Sequence, residues 1–315
     1  MQQNDSIAIL IPCYNESLTI KKVIEDWKKA LPEASIYVYD NNSIDGTAEI
    51  AKEAGAIVRY EYLQGKGNVV RRMFREIEAD CYIMIDGDDT YPAKHGKEMV
   101  DLILNKKADM VVGDRLSTTY FQQNKRLFHN FGNNLVRTLI NMFFHSDIKD
   151  VMTGCRAFSY EFVKTFPVTS KGFEIETEMT VHAIHKNLKI DNVNVDYKDR
   201  PQGSESKLRT IPDGIKIIKT LLKMFKNYKP IAFFCTLTLI TASVAIGLLI
   251  PTIINYISTG VFIWTIWTLL GSFASIFSLQ LLTTGIILNT ISSKERREFE
   301  LRLYDVAFRR GGRND

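Results

Sequence analysis

The chain has 315 residues, enough for about two domains. Forty Lys and Arg against 36 Asp and Glu leave a net charge of +4, too mild for a general nucleic-acid binder, so no nucleic-acid partner is expected. Charged residues make up 24% of the chain, yet none falls between Pro230 and Ser293, which points to a membrane, with a buried helical hairpin of a soluble protein as the alternative.

In chain order, the first six residues are polar and lack the pattern of a signal peptide. Short apolar runs at 7–11, 36–39, 56–60, 82–85 and 110–112 predict strands. Amphipathic stretches over 18–30, 47–54, 67–79 and 94–105 predict helices between them. Continuously apolar strands separated by helices imply an α/β fold whose mostly parallel sheet is covered on both faces. Such sheets bind ligands at the carboxyl ends of their strands. Polar clusters follow three of these strands: Pro12-Cys13-Tyr14-Asn15-Glu16, Asp40-Asn41-Asn42-Ser43 and Asp86-Gly87-Asp88-Asp89.

Further on, helices are predicted over 126–144 and 174–186, with short strands near 155–159 and 190–197. Residues 198–209 are polar and read as a loop. Lys216, Lys219, Lys223, Lys226 and Lys229 then share a segment with Ile215, Ile218, Leu222 and Phe225. That spacing predicts an amphipathic helix over 211–229, suited to an anionic bilayer surface. The charge-free stretch 230–293 divides into spans near 231–257 and 261–291, each longer than the roughly 20 residues a bilayer requires. Lys294, Arg296, Arg297 and Arg302 follow in a basic tail, 294–315. Positive flanks on both sides place them, and a catalytic part over 1–210, on the cytoplasmic face of the inner membrane. Gln280 and Asn289 inside the second span offer interhelical contacts for a homo-oligomer. Cys13, Cys81, Cys155 and Cys235 are scattered without metal-ligand spacing, as expected of reduced thiols.

Asp86 and Asp88 are two carboxylates at i and i+2 beyond a buried strand. Their hard oxygens suit Mg²⁺ or Mn²⁺, which commonly binds substrate phosphates as well. A metal there would neutralise a departing diphosphate. An Asp-rich turn leading into Pro92 is the alternative. Neither a Gly-x-x-x-x-Gly-Lys-Ser/Thr loop nor a Gly-x-Gly-x-x-Gly run is present, which argues against a P-loop ATPase and a dinucleotide cofactor. Gly65-Lys66-Gly67 could bring a cation and free backbone N–H groups to an anion, or be a plain turn. Glu174, Glu176 and Glu178 read equally as sugar contacts or as acidic residues at a helix start. His182 and His185 read as structural.

Ile-Pro-Cys-Tyr-Asn-Glu, Asp-Asn-Asn-Ser-Ile-Asp-Gly-Thr, Gly-Lys-Gly and Asp-Gly-Asp-Asp-Thr-Tyr-Pro occur in that order. Together they resemble the family 2 inverting glycosyltransferases of the Rossmann-like GT-A fold. Within that family the whole chain resembles the polyprenyl-phosphate sugar transferases, the group of dolichyl-phosphate mannose synthase and bacterial undecaprenyl-phosphate glucosyltransferases. The resemblance covers residues 7 to about 210, and the two-span tail matches the bacterial members. It implies transfer of one hexose, with inversion, from a nucleotide-diphosphate sugar to a polyprenyl phosphate for cell-envelope glycosylation. UDP-glucose or a UDP-N-acetylhexosamine is the expected donor and GDP-mannose the alternative.

The resemblance also implies roles. Pro12, Tyr14, Glu16, Asp40 and Ser43 should line the nucleotide, with Lys66 nearby. Asp86 and Asp88 should handle the metal and diphosphate. Arg115 in Val-Gly-Asp-Arg and Arg126 match phosphate-contacting arginines. Asp150 in Asp-Val-Met-Thr-Gly-Cys-Arg matches an acidic residue that faces the acceptor or metal. Arg200, Ser206 and Lys207 match a clamp for the lipid phosphate. Thr90 stands where the mannose branch usually carries Gln, so a third metal contact is not implied. A processive polysaccharide synthase is disfavoured because no tryptophan lies in a Gln-x-x-Arg-Trp motif. A scaffold that binds nucleotide without turnover is disfavoured by the intact acidic and basic sets.

Overall fold

The computed structural model describes residues 6–117, 127–201, 203, 210–262 and 265–311. It divides into two compact units, Met1–Leu221 with Leu301–Asp315, and Leu222–Glu300.

In the first unit, the strands β1 (Ile7–Cys13), β2 (Ser35–Asp40), β3 (Ile57–Tyr60), β4 (Cys81–Met84), β5 (Met110–Asp114), β6 (Arg156–Ser159) and β7 (Ile190–Asn194) form one sheet. Its order is β3-β2-β1-β4-β6-β5-β7. The apolar runs predicted as strands are these strands. β1, β4 and β5 are buried almost throughout because helices cover both faces. The helices are α1 (Ile20–Ala30), α2 (Thr47–Glu53), α3 (Lys66–Glu76), α4 (Gly96–Leu104), α5 (Leu127–Phe144), α6 (Tyr160–Thr165) and α7 (Ile175–His185). Trp27 of α1 anchors the core on one face, wholly buried among Ile9, Ile11, Ile24 and Met99. Truncating such a side chain typically costs about 3–5 kcal/mol.

One strand departs from the parallel pattern. β6 runs antiparallel to both β4 and β5. A reversed strand begins where its neighbours end, so Arg156 sits across from Met84 and from Val112. The segment leading into β6 is thereby delivered to the carboxyl edge of the sheet. The short α6, which begins at Ser159 with its hydroxyl accepting from the Phe162 amide, is absent from the sequence expectations.

Helix α8 (Thr210–Tyr228) coincides with the expected amphipathic segment. The apolar stripe it buries is Ile217, Leu221 and Met224. Ile215 and Leu222 remain exposed between exposed lysines 216, 219, 223 and 226. The helix therefore has two apolar stripes, and the sequence reading had picked out the outer one.

In the second unit, α9 (Pro230–Thr259) and α10 (Ile266–Gly311) are both long and apolar enough to cross a membrane, and little of either is buried. The helix begun by the second span does not stop near residue 291 but runs on through most of the expected tail. The pair packs through small residues. A methyl group at Gly271 would meet Leu249 Cγ at 2.7 Å, and one at Gly285 would meet Phe234 Cβ at 2.7 Å. The Thr252 and Thr268 hydroxyls bond each other at 2.6 Å in the buried seam. The far end of α10 belongs to the first unit, where Arg310 bonds Glu161 at 2.9 Å and Asp80 at 2.8 Å over the Tyr160 ring. All four cysteines are free.

Candidate active site

Side chains from beyond six strand ends, together with the loop before β6, meet at one edge of the sheet. On its β1–β2 side, Asp40 ends β2 in register with Cys13. It is almost wholly buried; its Oδ2 accepts from the Ser43 amide, while its Oδ1 is buried with no hydrogen-bond partner. Ser43 Oγ accepts from the Asn15 amide, and Thr47 Oγ1 accepts from the Glu16 amide. The β1–β2 loops are thus stitched together with Pro12 half-buried, Glu16 buried and Tyr14 exposed beside them. Asn41 joins the loop after β3, donating to Glu61 O and Leu63 O and accepting from the Gly65 amide.

The Gly65-Lys66-Gly67 turn begins α3. Its amides are used within the protein: Gly65 N–H bonds Asn41 and Gly67 N–H bonds Lys171 O. A methyl group on either glycine would lie 2.3 Å from a backbone oxygen of Lys171 or Ser170. These glycines permit close backbone approach and do not offer free N–H groups to an anion. The cation of the turn does face the site, since Lys66 Nζ bonds Asp86 Oδ1 at 2.6 Å and Glu176 Oε1 at 2.7 Å.

Past β4, Asp88 is buried, held at Oδ1 by the Thr90 amide and hydroxyl and at Oδ2 by Arg200 at 2.5 Å. Thr90 therefore serves Asp88 itself. Asp89 adopts a positive φ of 57° and pairs with Lys22, as a turn residue. Burial disfavours charge on Asp86, but Lys66 outweighs it and holds the carboxyl below its usual range. Burial and the neighbouring Asp86 push Asp88 the other way, up. A pair of adjacent carboxyls driven apart in this manner is a mark of functional sites.

Beyond β5, Arg115 bonds Asp150 Oδ2 at 2.8 Å and the Met152 carbonyl, with Tyr197 against its guanidinium. Asp150 is fully buried and keeps Oδ1 without a hydrogen-bond partner. The Tyr91 hydroxyl accepts from the Gly154 amide at 3.0 Å and lies 3.4 Å from Arg115 Nη1. A methyl group on Gly154 would collide with Asp86 Oδ2 at 2.0 Å. The segment from Asp150 to Gly154 is folded directly onto the acidic pair.

Asp86, Asp88, Asp150, Lys66, Arg115 and Arg200 are thus brought together, and Pro12, Tyr14, Glu16, Asp40 and Ser43 form the adjoining wall. Arg126, Ser206 and Lys207 lie outside the described residues. Two further members were not singled out from sequence. Tyr91 follows directly on the acidic run, in the Thr-Tyr-Pro of its motif. Glu176 was one of three equivalent acidic residues, and the structure separates them. Glu174 accepts from the Lys171 and Gly172 amides, Glu178 from the Thr169 and Ser170 amides, and only Glu176 reaches Lys66. His182 is buried beside Phe162 and Phe166, as a structural residue.

The family model described as "Glycosyl transferase family 2" matches residues 8–166, which include every strand end of the site except that of β7. The chain belongs to glycosyl transferase family 2. Among its relatives is "Glycosyltransferase AglJ" of Haloferax volcanii, 32% identical over 95% of this chain and 98% of the relative. Another from the same organism is "Dolichyl-phosphate hexose transferase", 27% identical over 70% of this chain and 94% of its own. The family 2 fold recurs in glucosyl-3-phosphoglycerate synthase from Mycobacterium tuberculosis, with a TM-score of 0.57 at 20% identity over 70% of this chain and 80% of that one. That crystal contains Mn²⁺, UDP and glucosyl-3-phosphoglycerate. This family 2 enzyme is accordingly a glycosyltransferase with a GT-A fold, and its two apolar helices point to membrane association.

Proposed function

We propose that the enzyme transfers one hexosyl unit, with inversion, from a UDP-sugar to undecaprenyl phosphate at the cytoplasmic face of the inner membrane. The observation that carries this reading is the convergence of Lys66, Arg115 and Arg200 on Asp86, Asp88 and Asp150 at one edge of the sheet. Those three cations are paired with carboxylates, and they are the groups that would receive phosphates. The unpartnered Asp40 Oδ1 supports base recognition, since an acceptor there suits a ring N–H of uracil.

A lipid monophosphate is already anionic near neutral pH. Its oxygen forms the new bond to the sugar's anomeric carbon as the bond to the diphosphate breaks, and no protein base need take a proton. What remains for the side chains is orientation and the removal of charge repulsion. Among the described residues no group of three or more His, Cys, Asp or Glu is arranged to hold a metal ion. Asp86 and Asp88 still fit Mg²⁺ or Mn²⁺ that completes its coordination with donor phosphate oxygens and water. When bound, that ion would neutralise the leaving diphosphate. The exposed lysines of α8 and the positive flanks of both spans support the cytoplasmic placement.

The test is incubation of detergent-solubilised enzyme with undecaprenyl phosphate, Mg²⁺ or Mn²⁺ and labelled UDP-glucose, UDP-N-acetylglucosamine or GDP-mannose in separate reactions. A lipid-linked sugar of inverted configuration from a UDP donor is expected. Product from GDP-mannose alone would replace the donor assignment. Nucleotide binding with no lipid product from any donor would overturn the transferase reading.

A further inference from the structure

Arg156 closes the Asp-Val-Met-Thr-Gly-Cys-Arg motif, and nothing above gives it a part in the chemistry. It is the first residue of β6 and wholly buried. Among the described residues it forms no ion pair, and the carboxylates of Glu176 and Asp150 act on its charge only from a distance. Burial lowers its pKa, yet a guanidinium remains charged in proteins. A buried cation without an anionic partner is unfavourable, and a long apolar side chain would fill the same space without that penalty. The reason for its presence therefore lies in what it bonds.

Its donors go to the backbone beside the site. Nη2 donates to Val151 O at 2.5 Å and Nε to Thr153 O at 3.2 Å. Between those two carbonyls lies that of Met152, which is taken by Arg115. Three successive carbonyls of the segment that carries Asp150 are thus held by two guanidinium groups. Nη1 of Arg156 donates to Thr180 Oγ1 at 2.9 Å, and that hydroxyl donates in turn to Glu176 O at 3.0 Å. One buried side chain thereby ties the Asp150–Gly154 segment to the helix that presents Glu176 to Lys66.

We propose that Arg156 is a positioning residue for glycosyl transfer: it fixes residues 150–154 so that Asp150 meets Arg115 and Gly154 lies against Asp86, in register with Glu176. The inference rests on the transferase reading for its kinetic consequence and on the hydrogen bonds alone for its structural one.

The test uses the full-length enzyme in detergent, carrying Arg156→Met, which keeps much of the volume but none of the donors, or Arg156→Lys, which keeps the charge and fewer donors. In Arg156→Met, backbone amide exchange should quicken at 150–155 while β1, β2 and β4 keep their protection. Its kcat should fall at least about 30-fold, the scale of an ångström-sized misplacement. The KM for the nucleotide sugar should stay within about threefold. Arg156→Lys should recover part of the loss. Adding Arg156→Met to Asp150→Asn should cost little beyond Asp150→Asn alone, because the arginine acts through the aspartate's segment. Unchanged exchange at 150–155, exchange that quickens evenly across the sheet, or losses that add in full to those of Asp150→Asn would each overturn the proposal. Should the unaltered enzyme transfer no sugar, the transferase reading falls, and the exchange pattern still decides whether Arg156 holds the segment.

Discussion

Around the ends of β1 and β2 the loops are held, among the described residues, without ion pairs: Asn15, Asn41, Ser43 and Thr47, with the carboxylates of Asp40 and Asp45, bond backbone amides, carbonyls and hydroxyls across the strand ends. Around the ends of β4, β5 and β7 the same task falls to Lys66, Arg115 and Arg200, each joined to a buried or half-buried carboxylate. Hydrogen bonds of this kind are directional and bind each loop to one particular neighbour. Ion pairs can exchange partners when phosphates and a divalent cation arrive, because the attraction is to charge more than to one group. On the proposed reaction, the first half would keep its contacts and the second would exchange them. Substitutions in the two halves should therefore fail differently.

The largest effect is expected at Asp88. Asp88→Ala removes a candidate metal ligand and the carboxylate that Arg200 bonds at 2.5 Å. Transfer should fall by about 1,000-fold, comparable to losing a main electrostatic contributor, while nucleotide affinity measured without metal changes little. Substantial activity in the variant would break the assignment of this half to the chemistry. Gly154→Ala should follow, because its methyl group cannot coexist with Asp86 Oδ2 where it stands. Displacing either group by about an ångström should cost roughly 100-fold in kcat. Calorimetric titration with UDP should leave this variant close to the unaltered enzyme.

In the half without ion pairs, Asn41→Ala frees the 61–65 loop from four hydrogen bonds without altering any charge. The donor KM should rise about tenfold, the order of one or two net hydrogen bonds, with kcat nearly kept. A fall in kcat with an unchanged KM would reverse the roles given to the two halves.

Most of the elements were legible in the sequence because strand and helix periodicities differ and each polar cluster followed an apolar run. The acidic pair and Asp40 could be placed at one edge for that reason, whereas only the family resemblance implies that Lys66 lies near them. Less legible was anything that depends on orientation. Nothing in the residues 156–159 distinguishes an antiparallel strand from a parallel one, yet its reversal is what delivers Asp150. Glu174, Glu176 and Glu178 carry the same charge at a two-residue spacing, and helix geometry alone turns one of them toward Lys66. The glycines at 65, 67 and 154 were visible as glycines, but whether each bends the chain or admits a neighbouring atom is set by packing.

The smallest functional effect, and a test from outside both halves, is expected at His182. Burial, with a minor contribution from Lys186, pushes its pKa down to about 3, while an unfolded-chain histidine titrates near about 6.5. Between these values the unfolded chain holds a proton that the folded chain refuses. Stability contributed by keeping His182 neutral is therefore complete above about pH 6.5 and declines as pH falls toward 3, by up to about 1.4 kcal/mol per pH unit. Asp45, Glu76, Asp80 and Asp196 are held below their ordinary values, so their loss begins only under about pH 5 and is separable. In His182→Phe, whose ring would join Phe162 and Phe166, thermal midpoints of the solubilised enzyme should vary less between pH 6.5 and 5 than those of the unaltered protein. The slope, not the absolute midpoint, is the quantity to compare, since the new ring also alters packing. An unaltered slope would show that His182 is charged in the fold. Sugar transfer at neutral pH should differ little between the two, because the imidazole is neutral there and lies in the aromatic cluster.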